Sequence, residues 1–113
     1  MDIIETTDNG ILTVAVKGRL DAASADTAKQ KLSALIDGGA RQIILDFSEL
    51  DYVSSIGLRV LLLIAKQVAK QQGKIALYSP VDHITEVFQL SGFDSLISIF
   101  ADRARAAQHV SEA

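Results

Sequence analysis

The sequence predicts an α/β fold: a single domain, residues 1–113, with a mixed β-sheet, an N-terminal hairpin and crossover helices in the order ββαβαβαβα. Three observations carry this. Asn9-Gly10 separates two strand-like runs, and that pair is a strong signal for a tight hairpin. Gln42 to Phe47 is short and almost continuously apolar, as strands buried on both faces of a parallel sheet are. Segments with helical apolar spacing then alternate with strands, the α/β pattern.

The elements follow in order. Residues 2–7 pair antiparallel with Ile11–Val16, and Gly18 closes the second strand. Residues 22–37 place Ala25, Ala28, Leu32, Leu35 and Ile36 on one helical face, and Gly38-Gly39 ends that helix. After the strand at 42–47, Ser48-Glu49-Leu50-Asp51 reads as a polar connection to Tyr52-Val53. A second helix runs from Ser55 to about Gln72, with Lys66, Gln67, Lys70 and Gln71 at its wetter end and Gly73 as its stop. Lys74–Tyr78 is a strand. Ser79-Pro80 opens a third helix, with Pro80 suited to its first turn and Ile84, Val87, Phe88 and Leu90 on its buried face. Gly92 ends it. Leu96–Phe100 is a short last strand, and residues 101–110 form a final helix that frays at Ser111-Glu112-Ala113.

Composition removes whole classes of function. Hydrophobic residues make up 49% of 113 residues, enough for a core without covalent staples. With no cysteine, disulfides, thiolate metal sites and cysteine nucleophiles are excluded. The net charge is -3 and no basic run occurs, so nucleic acid is not an expected partner. The strongly apolar run Val60–Ala65 falls far short of the ~20 residues that span a bilayer, so no membrane partner is expected. The first residues carry no basic segment of a secretory signal, and the expected location is cytoplasmic. The even surface composition suggests a monomer.

Catalytic patterns are poorly supplied. A Ser-His-Asp set could be drawn only from Ser55, His83 and one of several aspartates, and no G-x-S-x-G elbow exposes a serine. His83 and His109 form no ligand-spaced cluster with carboxylates. Neither Gly-rich phosphate motif is present. Asp46 ends a buried strand as a phospho-acceptor aspartate would, but the accompanying acidic pair and lysine are missing: Asn9-Gly10 and Asp102-Arg103 stand in their places. The expectation is that the chain is not an enzyme and has no cofactor.

Ser54 and Ser55 stand apart. Two hydroxyls sit at the mouth of a helix, where a serine caps free backbone N–H groups. Those N–H groups and the helix dipole also favour a phosphate. Gly57, in the first turn, costs ~1 kcal/mol in helix propensity against alanine and leaves the backbone open to close approach by another protein. Ile56, Leu58, Val60, Leu61, Leu62, Leu63 and Ile64 are apolar almost all round the helix. Either neighbouring helices cover all of that surface or part of it is an exposed patch for a partner.

Val-Ser-Ser-Ile-Gly-Leu-Arg-Val-Leu-Leu at 53–62 resembles the signature of STAS domains, specifically the anti-sigma factor antagonists of bacterial partner-switching systems. Gly18-Arg19-Leu20-Asp21, Ile44-Leu45-Asp46-Phe47-Ser48 and Leu90-Ser91-Gly92-Phe93 followed by Leu96-Ile97 resemble other family segments in the right order. The resemblance implies a STAS-like fold and a phosphorylated serine two residues before the glycine, which is Ser55; Ser54 is the second choice. Many antagonists have Asp where this chain has Ser54, and Asp21 could supply some of that charge or simply cap the first helix. Ile56 stands where the family often has a small residue.

The resemblance further implies a cycle. The unphosphorylated domain binds an anti-sigma factor that is also a serine kinase of GHKL type. Phosphorylation of Ser55 separates the pair, and a metal-dependent serine phosphatase resets it. Partner contacts are expected at Asp21, Ser54, Ile56, Gly57, Leu58 and Val60. The alternative is a constitutive STAS scaffold in a lipid-transport or stress-signalling complex, with both hydroxyls acting only as caps.

Overall fold

The computed structural model describes residues 1–112; the expected fraying at Ala113 lies outside them. Strands β1 (Asp2–Asp8) and β2 (Ile11–Leu20) are followed by α1 (Ala25–Asp37), β3 (Gln42–Asp46), β4 (Leu50–Val53) and α2 (Ser55–Lys70). Then come β5 (Lys74–Tyr78), α3 (Asp82–Ser91), a 3-10 turn at Phe93–Ser95, β6 (Ser98–Phe100) and α4 (Arg103–Ser111). The main sheet has the order β1-β2-β3-β5-β6, antiparallel between β1 and β2 and parallel elsewhere.

The hairpin forms where its chemistry requires it. Asn9 and Gly10 both have positive φ, 52° and 80°, the twist-matched turn that lets Asp8 face Ile11. Two of the expected boundaries change for reasons that matter to the site. Gly18 does not close β2. It takes φ +94° at a bulge, and the strand continues to Leu20: β2 pairs with β3 up to Ala15 and with β4 from Gly18 on. Ser48–Val53 is correspondingly not only a connection. Leu50 and Val53 point inward and are buried, whereas Asp51 and Tyr52 point out, and the four residues form a parallel strand beside β2. The order is thus ββαββαβαβα.

Helices α1, α2 and α3 cover one face of the sheet. Their Leu32, Ile36, Leu61, Ile64, Val68, Ile84 and Phe88 pack on Val14, Val16, Ile43, Leu45, Ile75 and Leu77. The opposite face receives α4, whose Ala106 and Val110 meet Ile11, Ile44 and Ala76. The central strands β3 and β5 therefore bury both faces, which is why they read as unbroken apolar runs. A side chain such as Ile64, 1% exposed, contributes about 1.5–3 kcal/mol by that burial.

Leu90 departs from the expected buried face of α3. It is 89% exposed, because two residues past Phe88 at ~100° each is the far side of a helix. Pro80 lies just ahead of α3, whose N-cap is Val81. Among the described residues no helix is long and apolar enough to cross a membrane.

Candidate functional site

Two strand ends and one helix start meet at a single corner. β2 and β4 run parallel there, Arg19 beside Tyr52 and Leu20 beside Val53. The Ser54 amide donates to the Leu20 carbonyl at 2.9 Å, which hangs the start of α2 on the end of β2.

The two serines occupy different positions. Ser54 is extended, with φ -86° and ψ 173°, and its Oγ accepts from the Gly57 amide at 3.1 Å. Its carbonyl accepts the Leu58 amide at 2.8 Å. Ser54 is therefore the N-cap, half-buried and with its hydroxyl oxygen already engaged. Ser55 is the first helical residue and is exposed, and its hydroxyl has no hydrogen-bond partner among the described residues. α2 has no acidic side chain in its first turn, so the positive end of its dipole is not offset by its own residues.

Gly57 is explained by packing inside the chain. A Cβ placed on it would lie 2.4 Å from the Leu20 carbonyl oxygen and 2.8 Å from Leu20 Cγ. The close approach expected of another protein is thus made by β2 of this chain, and Gly57 is buried. Val60 also leaves the set of expected contact residues. It is 6% exposed and belongs to the main core, because five residues after Ser55 its side chain points to the sheet. Ile56 and Leu63 are 47% and 41% exposed, and Leu58 is half-buried. The apolar wrap of α2 is thus shared: the sheet and α1 take one part, and Ile56 and Leu63 stay in solvent.

Asp21 sits just past the end of β2 and organises the turn into α1. Its carbonyl accepts the amides of Ser24 at 3.1 Å and Ala25 at 2.8 Å, and its carboxylate accepts from the Ala23 amide at 3.1 Å and Ser24 Oγ at 3.3 Å. Ser24 Oγ accepts the Asp21 amide at 3.0 Å and shares its single proton between that carboxylate and the Arg19 carbonyl, 2.8 Å away. The N-cap of α1 is Ser24, not Asp21. Desolvation pushes the Asp21 carboxyl up, but the hydrogen bonds from Ser24 and Ala23 and from Arg19 outweigh it and hold the group below its ordinary value. Arg19 pairs with Asp21 at 3.5 Å and lies over the Tyr52 ring, 4.3 Å from its centroid. This gives the corner a rim of Arg19, Asp21, Tyr52 and Ile56 around the exposed Ser55.

The other polar side chains singled out in the sequence have partners of their own. The His83 ring bonds to the Asp51 carbonyl, tying α3 to β4. Asp46 accepts from the amide and hydroxyl of Ser48 at 3.0 and 2.7 Å. Burial, with Asp46 adding to it, raises the neighbouring Tyr78. Two surface hollows, of about 210 and 300 Å³, lie at the α2 end near Leu96 and His109 and between the hairpin and the α1 end. Neither is lined by Ser54 or Ser55.

Sequence reasoning missed β4, the Ser24 turn and the Leu20 carbonyl as the seat of α2. Only Leu50 and Val53, apolar on either side of two polar or aromatic positions, offered a signal for β4.

Comparison with known proteins agrees with this architecture. BtrV of Bordetella bronchiseptica, named provisionally an anti-sigma factor antagonist, is 40% identical over 99 residues, covering 88% of this chain and 85% of its own. A Thermotoga maritima crystal structure, likewise provisionally an anti-sigma factor antagonist, superposes with TM-score 0.91 at 21% identity, covering 97% of this chain and 95% of its own. The Bacillus cell fate determinant SpoIIAA in its phosphorylated form gives TM-score 0.74 at 23% identity, covering 96% and 99%. Residues 2–106, from the hairpin to the first turns of α4, match the STAS domain family, and the chain belongs to that family.

Proposed function

We propose that this chain is an anti-sigma factor antagonist switched by phosphorylation of Ser55. The observation that carries it is the division of labour between the two serines. Ser54 holds the helix start, and Ser55, one residue on, presents a hydroxyl with no intrachain duty. Modification of Ser55 leaves the cap in place. The likeness to BtrV and to a protein solved in a phosphorylated form supports the same reading.

In this reading an anti-sigma factor serine kinase of GHKL type binds the unphosphorylated corner through Asp21, Ile56 and Leu58, with Tyr52 at the rim. The kinase transfers the terminal phosphoryl group of ATP to Ser55 Oγ. ADP leaves, and the hydroxyl proton passes to a base of the kinase. The phosphate adds about -1.5 to -2 charges at neutral pH. At a helix start this is tolerated, whereas in a closed interface it must be desolvated. Separation therefore follows from exclusion, with little refolding of the domain. A metal-dependent serine phosphatase restores the hydroxyl; ATP and metal belong to these partners.

The test is binding of the kinase to three proteins by calorimetry. The unmodified chain and Ser55→Ala should bind alike, and Ser55→Asp at least ~10-fold more weakly, the loss expected when one charge is buried without a partner. Equal binding of all three proteins would favour a constitutive scaffold.

A further inference from the structure

The 16 residues of α2 contain no aspartate or glutamate, yet its exposed positions include Arg59, Lys66 and Lys70. Arg59 has no carboxylate partner among the described residues. It stands four residues after Ser55, one helical turn along, where side chains are neighbours at about 5–6 Å between Cβ atoms. An anion N-terminal to a cation at this spacing is the favourable orientation, and a guanidinium meets phosphate oxygens through two parallel N–H bonds.

Resting on the reading of Ser55 as the acceptor, we propose that Arg59 captures the Ser55 phosphate. Phosphorylation then acts twice at the corner. It adds negative charge, and it withdraws the free cation that the unmodified α2 surface offers to an acidic partner. The other cations are less suited. Arg19 is held by Asp21 and stacked on Tyr52. Lys66 is eleven residues from Ser55, about 16 Å along the axis.

The experiment uses the full chain with phosphoserine placed at position 55 during translation and follows the phosphorus-31 resonance through a pH titration. The unaltered background should give a second ionisation below the ordinary phosphoserine value of about 6. Arg59→Gln should move the midpoint up by about half a unit, roughly a threefold change in proton affinity. Arg59→Lys should restore part of that difference, and high salt should shrink it. Arg59 is exposed, so these proteins are expected to fold, and far-ultraviolet circular dichroism checks it. A midpoint unmoved by Arg59→Gln, or moved equally by Arg19→Gln, overturns the proposal. No kinase is needed, so the result does not depend on whether Ser55 is a kinase substrate. That question is read separately, from the site of mass gain in a kinase reaction.

Discussion

Replacing Gly57 by alanine sets local propensity against packing, and the two give opposite signs. In an isolated helix Gly→Ala stabilises by ~1 kcal/mol. Here the new Cβ would lie 2.4 Å from the Leu20 carbonyl oxygen and 2.8 Å from Leu20 Cγ, where ordinary contact begins at 3.4 Å. The oxygen is backbone in a paired strand, and it also accepts the Ser54 amide, so it has little freedom to move. α2 must instead lift by about 1 Å, loosening Val60, Leu61 and Leu20 in the core. Overpacking of this kind costs about 3 kcal/mol, so after the propensity gain the net loss is about 2 kcal/mol. With a slope of about 2 kcal/mol per molar in urea, the unfolding midpoint should fall by about 1 M with the slope unchanged. Urea denaturation followed by circular dichroism measures it. A midpoint that rises or stays level would refute the idea that the helix start is seated on β2.

Other consequences are smaller but separable. Ser54→Ala should lose about 1 kcal/mol through the missing cap to the Gly57 amide, a fall of about 4 °C in Tm. Ser55→Ala should stay within about 0.5 kcal/mol of the parent, as an exposed change that breaks no contact does; equal losses from the two would erase the distinction between cap and acceptor. Asp21 has its pKa lowered in the folded state, so its contribution is present above the ordinary carboxylate value and disappears as pH falls through the depressed one. Asp21→Asn should therefore lower Tm at neutral pH and converge with the parent in strong acid. A difference that persists there would assign the effect to something other than the carboxylate. Partner-bound hydrogen exchange should protect residues around Ile56 and Leu58, and unchanged exchange across 52–63 would remove that surface from the interface.

Much of this was legible in the sequence, and what was hidden has physical reasons. Asn9-Gly10 specified its hairpin because few turns suit a two-residue loop with φ positive at both positions. The apolar runs at β3 and β5 signalled a sheet covered on both faces. The Ser54-Ser55 pair marked a helix start, but which serine caps depends on one backbone angle, and only the extended ψ of Ser54 decides it. β4 was obscured because four residues with two outward positions carry little periodicity. Gly18 looked like a terminator because glycine at φ +94° occurs at both turns and bulges. Val60 and Gly57 were misread as surface for a shared reason. An apolar or small residue near a helix start has the same appearance whether it meets another protein or its own sheet, and only the direction of the helix separates the two.

In the proposed switch Ser55, and not its neighbour, receives the phosphoryl group. Incubating the chain with a GHKL-type anti-sigma factor kinase and ATP, then locating the added mass by fragmentation, tests it directly. One phosphate on Ser55, absent from Ser55→Ala and retained in Ser54→Ala, is the predicted result. A phosphate on Ser54, or full phosphorylation of Ser55→Ala, would contradict it.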